Sequence, residues 1–131
     1  MITLQKYVRA KSLKEAYGLN QLQNNVICGG MLWLKQGSAN YNTVIDLCDL
    51  GLDKIEADND QFRIGTMVSL RDLETHPGLN SLTHGAIRDS VKNIVGVQFR
   101  NMATIGGSVW ARFGFYDLLT VLLALDCYVE L

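Results

Sequence analysis

Two pairs of adjacent glycines follow apolar runs in this 131-residue chain. Gly29-Gly30 comes directly after Val26-Ile27-Cys28, and Gly106-Gly107 sits inside Ala103-Thr104-Ile105-Gly106-Gly107-Ser108-Val109. Paired glycines remove two Cβ atoms and open positive φ values. Successive N–H groups can then turn toward one point and form an anion-binding concavity. Thr104 and Ser108 flank the second pair with hydroxyls able to donate to phosphate oxygens. A single glycine pair is equally consistent with a plain loop after a strand; two in a short chain suggest one extended phosphate-containing ligand held by main chain. Neither loop reads G-x-G-x-x-G, and no acidic residue follows at the spacing of a Rossmann ribose contact.

Other residues with chemical capacity form no constellation. His76 and His84 are separated by a Pro-Gly turn, have no nucleophile or carboxylate partner in sequence, and read as surface residues. Ser69 and Ser81 lack a nucleophile-elbow context. Cys28, Cys48 and Cys127 form no CxxC and no Cys/His cluster of metal spacing, so three buried, reduced thiols and no metal centre are expected. Trp33 and Trp110 read as packing residues. Arg100 beside Asn101 could clamp a loop or reach a phosphate. Asp117 could cap a helix or accept hydrogen bonds from ligand hydroxyls.

Composition bounds the class. The apolar fraction is 48 % and the charged fraction 19 %, with 12 Lys+Arg against 13 Asp+Glu. That suffices for a core and leaves no basic stripe for nucleic acid and no polybasic patch for a membrane surface. The first ten residues lack an apolar core followed by a small-residue cleavage site, so no signal peptide is expected; the three thiols, read as reduced, lead to the expectation of a cytoplasmic location. No apolar run approaches the roughly 20 residues of a membrane span.

The elements that must position the glycine loops read as follows. Thr3–Val8 is a strand. Ser12 and Glu15 form a capping-box pattern before a helix with Leu13, Ala16, Tyr17 and Leu19 as its apolar stripe, ended by Gly18 and the Asn-rich stretch 20–25. Val26–Cys28 suits a strand buried on both faces, and Thr43–Leu47 another, giving a small parallel β-α-β unit over residues 1–50. In residues 51–131, Asp58-Asn59-Asp60 predicts the turn of a β-hairpin. Ser69 and Asp72 predict an N-cap before a short helix. His76-Pro77-Gly78 breaks it, and one longer helix runs from Asn80 or Ser81 through Ala86, Ile87, Val91 and Ile94. Asp117 opens a last helix over 118–125, and Cys127–Leu131 reads as a strand within which the chain stops, as the front part of something longer would. The fold class is α+β in two lobes.

The chain resembles a family at this point. Cys28-Gly29-Gly30-Met31-Leu32-Trp33-Leu34, Ile64-Gly65-Thr66-Met67-Val68-Ser69-Leu70, and Gln98-Phe99-Arg100-Asn101-Met102-Ala103-Thr104-Ile105-Gly106-Gly107-Ser108, with Asp117 before an apolar helix, are similar to the N-terminal portion of the FAD-binding subunit of the molybdenum hydroxylases. These are xanthine dehydrogenase, aldehyde oxidase and carbon monoxide dehydrogenase, whose flavin domain is PCMH-type (vanillyl-alcohol-oxidase/MurB-like). The resemblance implies that Ile27, Cys28, Gly29, Gly30, Met31, Leu32 and Trp33 wrap the FAD pyrophosphate with main-chain amides. Ala103, Thr104, Gly107 and Ser108 would form a second phosphate loop. Trp110 and Ala111 would line the path to the ribityl chain, Asp117 would accept from ribityl or ribose hydroxyls, and Ile94 and Val95 would lie against adenine. No catalytic acid, base or nucleophile is implied. The implied partners are an iron–sulfur subunit and a molybdopterin subunit, with NAD⁺ or another acceptor receiving the electrons. The alternative is a non-catalytic assembly module that does not retain FAD. Met31 stands where the family often has threonine, Ser108 where asparagine is common, and Tyr116 where a small residue is usual.

Overall fold

The structure is a computed structural model that describes residues 1–58 and 61–131. Strand β1 (Thr3–Arg9) leads through helix α1 (Leu13–Asn20) to β2 (Asn25–Cys28), and a 3₁₀ turn at Leu34–Gln36 precedes β3 (Asn40–Asp46). The sheet order is β1-β3-β2 with both pairings parallel. Parallel strands need a crossover, and α1 supplies it between β1 and β2. Its start follows from sequence: Ser12 Oγ accepts from the Glu15 amide at 3.1 Å, and the Glu15 carboxylate accepts from the Lys11 amide at 2.8 Å. Gly18 lies inside α1 rather than ending it. The central strand is β3, so Thr43, Val44 and Ile45 are buried, and Ile45 packs with Ala10, Ala16 and Leu47. The expectation that Val26–Cys28 is buried on both faces is corrected: β2 is an edge strand, and Ile27 is exposed.

Strands β4 (Ile55–Asp58) and β5 (Gln61–Ile64) pair antiparallel. The hairpin is therefore as expected, while Asn59 and Asp60 of its turn lie outside the described residues. Helices α2 (Leu70–Thr75), α3 (Pro77–Leu82), α4 (Ala86–Val91), α5 (Val97–Arg100), α6 (Ile105–Ala111) and α7 (Asp117–Ala124) follow. Ser69 and Asp72 form a reciprocal capping box on α2. The single helix expected from residue 80 to 94 is two, because His84 and Gly85 both take positive φ and turn the chain. His76, expected at the surface, is half-buried: Nδ1 accepts from the Leu79 amide at 3.2 Å, capping α3, and its ring sits edge-on to Phe62. The main core joins Val68, Leu70, Leu73, Leu79, Ile87, Val91, Ile105 and Leu118. No strand forms at 127–131. That tail is exposed coil, with Tyr128 donating to Gln61 and Glu130 paired with Arg63.

Arg100 resolves its two readings as a clamp. It is buried, and its fork donates to Glu74 at 2.7 and 3.3 Å, while Arg71 pairs with the same carboxylate at 2.9 Å. Hydrogen bonding from Arg100, joined by Arg71, holds the Glu74 carboxyl below its ordinary value of 4.5, against the pull of burial. A depressed folded-state value means stabilisation that is present above the unfolded value and lost as pH falls through the folded one. Thermal melts should therefore show a falling midpoint below about pH 4.5, and Glu74→Gln should flatten part of that slope while lowering the midpoint at pH 7.

Candidate functional site: a glycine loop beside an aromatic cleft

The segment after β2 leaves the sheet with its amides unspent. Among the described residues, the N–H groups of Gly29, Gly30, Met31 and Leu32 donate no hydrogen bond. Met31 takes φ +58°, and one left-handed residue within a loop is what turns neighbouring amides to a common side. The glycines serve differently from the sequence expectation. Neither pair has positive φ; what matters is the missing Cβ. A Cβ on Gly30 would overlap the Met102 carbonyl, and one on Gly29 would come within 2.5 Å of Thr104 Oγ1. The first loop thus lies in van der Waals contact with Met102-Ala103-Thr104. Leu32 then packs on the main core, anchoring the loop.

The second glycine pair does not form an open loop. It begins α6, with Thr104 as N-cap. Its amides are engaged within the protein: Ile105 donates to Val68 O, Gly106 to Thr66 O at 2.9 Å, Gly107 to Thr104 Oγ1 at 3.2 Å and Ser108 to Thr104 O at 3.1 Å. Ser108 Oγ is buried and donates to Thr104 O. The expected concavity at 106–107 is therefore corrected: the segment is the wall that backs the first loop. Gly106 is held by close packing on Thr66. Gly107 is exposed, and a Cβ there would meet only Thr104 Oγ1, at 3.1 Å.

Beyond the loop lies a cleft of about 250 Å³ lined by Trp33, Ser90, Ile94, Val95, Phe115, Tyr116 and Asp117. It brings together four expected site residues, Trp33, Ile94, Val95 and Asp117. Its walls are aromatic: Trp33 meets Phe99 and Phe113 edge-on at 6.1 and 5.7 Å, and Phe113 stacks on Phe115 at 5.3 Å. Trp33 Nε1 donates to the Tyr116 hydroxyl at 3.4 Å. Asp117 is exposed and is the first residue of α7; its side chain makes no capping hydrogen bond. A volume of this size is below the ~300–1,000 Å³ typical of whole-ligand sites. Phe115, Tyr116 and Ser90 were missed in the sequence; the aromatic run 113–116 before Asp117 was the available signal. Trp110 is 78 % exposed and outside the cleft, so its packing role is corrected, and neighbouring Ala111 is likewise not among the lining residues. Ile27 points the other way, into an apolar groove with Leu13, Tyr17 and Leu47.

Of the three cysteines, only Cys28 is buried; Cys48 follows β3 in a 3₁₀ turn and Cys127 lies in the tail, both exposed. Burial, with the Asp46 charge adding, pushes the Cys28 thiol up to about 11. An aromatic disulfide reagent at pH 8 should titrate two thiols rapidly and the third at least about tenfold more slowly, since thiolate fraction and access govern the rate. Cys28→Ser should remove the slow phase. Among the described residues no group of His, Cys, Asp and Glu could hold a metal ion, and no helix is long and apolar enough to cross a membrane.

Free amides beside an apolar aromatic cleft, on an α+β frame without a Rossmann fingerprint, are an arrangement able to take an anionic group next to a ring. Residues 2–131 match the family described as "FAD binding domain in molybdopterin dehydrogenase", and the chain belongs to that family; its cofactor is FAD. The chain is 30 % identical to the uncharacterized protein YgfM of Escherichia coli K12, an alignment taking in 94 % of this chain and 48 % of the relative. It spans about half the length of the curated relatives it matches. Among solved structures, the carbon monoxide dehydrogenase of Oligotropha carboxidovorans superposes with a TM-score of 0.69 at 28 % identity, over 80 % of this chain and 38 % of that one. Quinoline 2-oxidoreductase of Pseudomonas putida 86 superposes with a TM-score of 0.71 at 21 % identity over 79 % and 38 %, a likeness of fold.

Proposed function

We propose that this chain holds the adenine and pyrophosphate end of FAD in a PCMH-type flavin subunit of a xanthine dehydrogenase-type molybdenum hydroxylase. The observation that carries the reading is the run of unspent amides from Gly29 to Leu32, closed from behind by Met102–Thr104 and opening beside the aromatic cleft. Those amides would take the pyrophosphate, as oriented N–H groups take anions without a lysine. Trp33, Ile94, Val95 and Phe115 would receive the adenine ring, and the Asp117 carboxylate would accept from ribose hydroxyls. The Thr104 hydroxyl oxygen accepts from the Gly107 amide, which leaves its O–H to donate to a phosphate oxygen. When bound, the flavin supplies one- and two-electron transfer; the protein contributes binding and orientation. Electrons would arrive from an iron–sulfur subunit fed by a molybdopterin subunit and leave to NAD⁺ or another acceptor. The same reading keeps the boundary near residue 50 and, on three unpaired thiols, a cytoplasmic location.

A second reading is favoured by the engaged amides of α6: an assembly module that pairs with the other subunits without retaining flavin. Purified chain incubated with FAD and freed of excess separates them. Retained flavin absorbance supports cofactor binding; a folded, colourless chain that takes up none supports the module.

A further inference from the structure

The lip of the cleft is held in a conformation that its own sequence resists. Val95 takes φ +51° and is 73 % exposed where it lines the cleft. A β-branched residue with positive φ is an outlier that persists only where its surroundings over-determine it. Its flanks show what does so. The Ile94 amide donates to Val91 O at 2.9 Å, extending the end of α4, and the Ile94 carbonyl accepts from Arg100 Nη1 at 3.1 Å. The other two nitrogens of that guanidinium, Nε and Nη2, donate to Glu74, and Glu74 is fixed in turn by Arg71. Arg100 is 5 % exposed, so the fork has no solvent to exchange with. α2, α5 and the 92–96 turn are therefore tied through one planar group. Lysine could satisfy the carboxylate or the carbonyl but lacks the fork to do both.

We propose that Glu74 and Arg100 are positioning residues for the nucleotide cleft: the buried fork pins the Ile94 carbonyl, and that pin keeps Val95 left-handed at the cleft lip. Neither residue lines the cleft. The inference rests on the nucleotide-binding reading for its effect on affinity, but its structural half stands without a ligand.

The test uses the full chain as the native protein, Arg100→Lys, Val95→Gly and Arg100→Lys/Val95→Gly. Amide hydrogen exchange at Ile94–Gly96 is measured without ligand, and FAD and ADP are titrated separately. Arg100→Lys should raise exchange at these amides at least about tenfold over the rest of α4, and weaken FAD and ADP at least about tenfold. With Val95→Gly as the reference, so that the lost valine contact cancels, adding Arg100→Lys should change affinity by no more than about threefold, because glycine reaches positive φ without the pin. The melting temperature should stay below native, since the fork remains broken; a merely structural role would tie affinity to melting temperature. Should Arg100→Lys fail to fold, Glu74→Gln is the second arm, with the same directions expected. A folded Arg100→Lys chain with native exchange at 94–96, or an Arg100→Lys loss of affinity as large in the Val95→Gly chain as in the native one, overturns the proposal. If the native chain binds neither ligand, the functional reading falls while the exchange arm still decides the pin.

Discussion

Gly30→Ala should cost the chain more than about 3 kcal/mol of stability, beyond the usual range for an added methyl in a packed site. The reason is the identity of the neighbour. The new Cβ would overlap the Met102 carbonyl, with the Ala103 nitrogen 3.2 Å away, and both belong to backbone. A side chain can rotate aside; this backbone is fixed by Met102 and Ala103 donating to Phe99 O, and by Leu70 donating to Ala103 O at 2.8 Å. The loop would have to lift off, taking Leu32 from the core and Trp33 from Phe99 and Phe113. Urea unfolding of the variant should show a much reduced midpoint, and FAD uptake should be lost with it. A native midpoint would mean that the two segments are not in contact.

Gly107→Leu should do the opposite to stability and the same to flavin. Gly107 is exposed at the third position of α6, and a Cβ there meets only the Thr104 hydroxyl, at 3.1 Å. Glycine in a helix costs roughly 1 kcal/mol against alanine, and leucine is close to alanine in helix propensity, so the melting temperature should hold or rise. Yet Gly107 and Gly29 flank the same Thr104 Oγ1, so a leucyl group would stand over the mouth of the first loop. FAD affinity should fall at least about a hundredfold, which is about 2.7 kcal/mol. This pair of variants separates a glycine required by packing from one required by the ligand. Titration of the folded Gly107→Leu chain reads the second directly.

The contrast also shows what was legible beforehand. Both glycine pairs stood out, as did the strand before the first, the N-cap at Ser12 and the capping box at Ser69, because these are local rules with short-range partners. The use of the glycines was not legible. Sequence suggests positive φ, but the need at Gly30 is set by a carbonyl 72 positions away, and the left-handed residue is Met31, which no propensity marks. The amides of 105–108 looked free for a ligand; whether they are depends on Val68 and Thr66 arriving beside them, a tertiary fact. The helix expected over 80–94 failed at His84-Gly85 for a similar reason. Gly85 is buried with φ +81°, a turn fixed by packing in a stretch otherwise of helical period. The cleft was legible in part. Trp33, Ile94, Val95 and Asp117 were all singled out, but their meeting place needed Phe115 and Tyr116, whose aromatic character alone reads as core.

Equilibrium binding of FAD to the native 131-residue chain, with ADP as competitor, bears most directly on the reading that free amides after Cys28 hold a diphosphate beside an adenine cleft. Saturable uptake of one FAD per chain is expected, with ADP displacing it and Gly107→Leu abolishing it. A well-folded native chain that takes up no FAD, or one whose uptake ignores both ADP and Gly107→Leu, would contradict it.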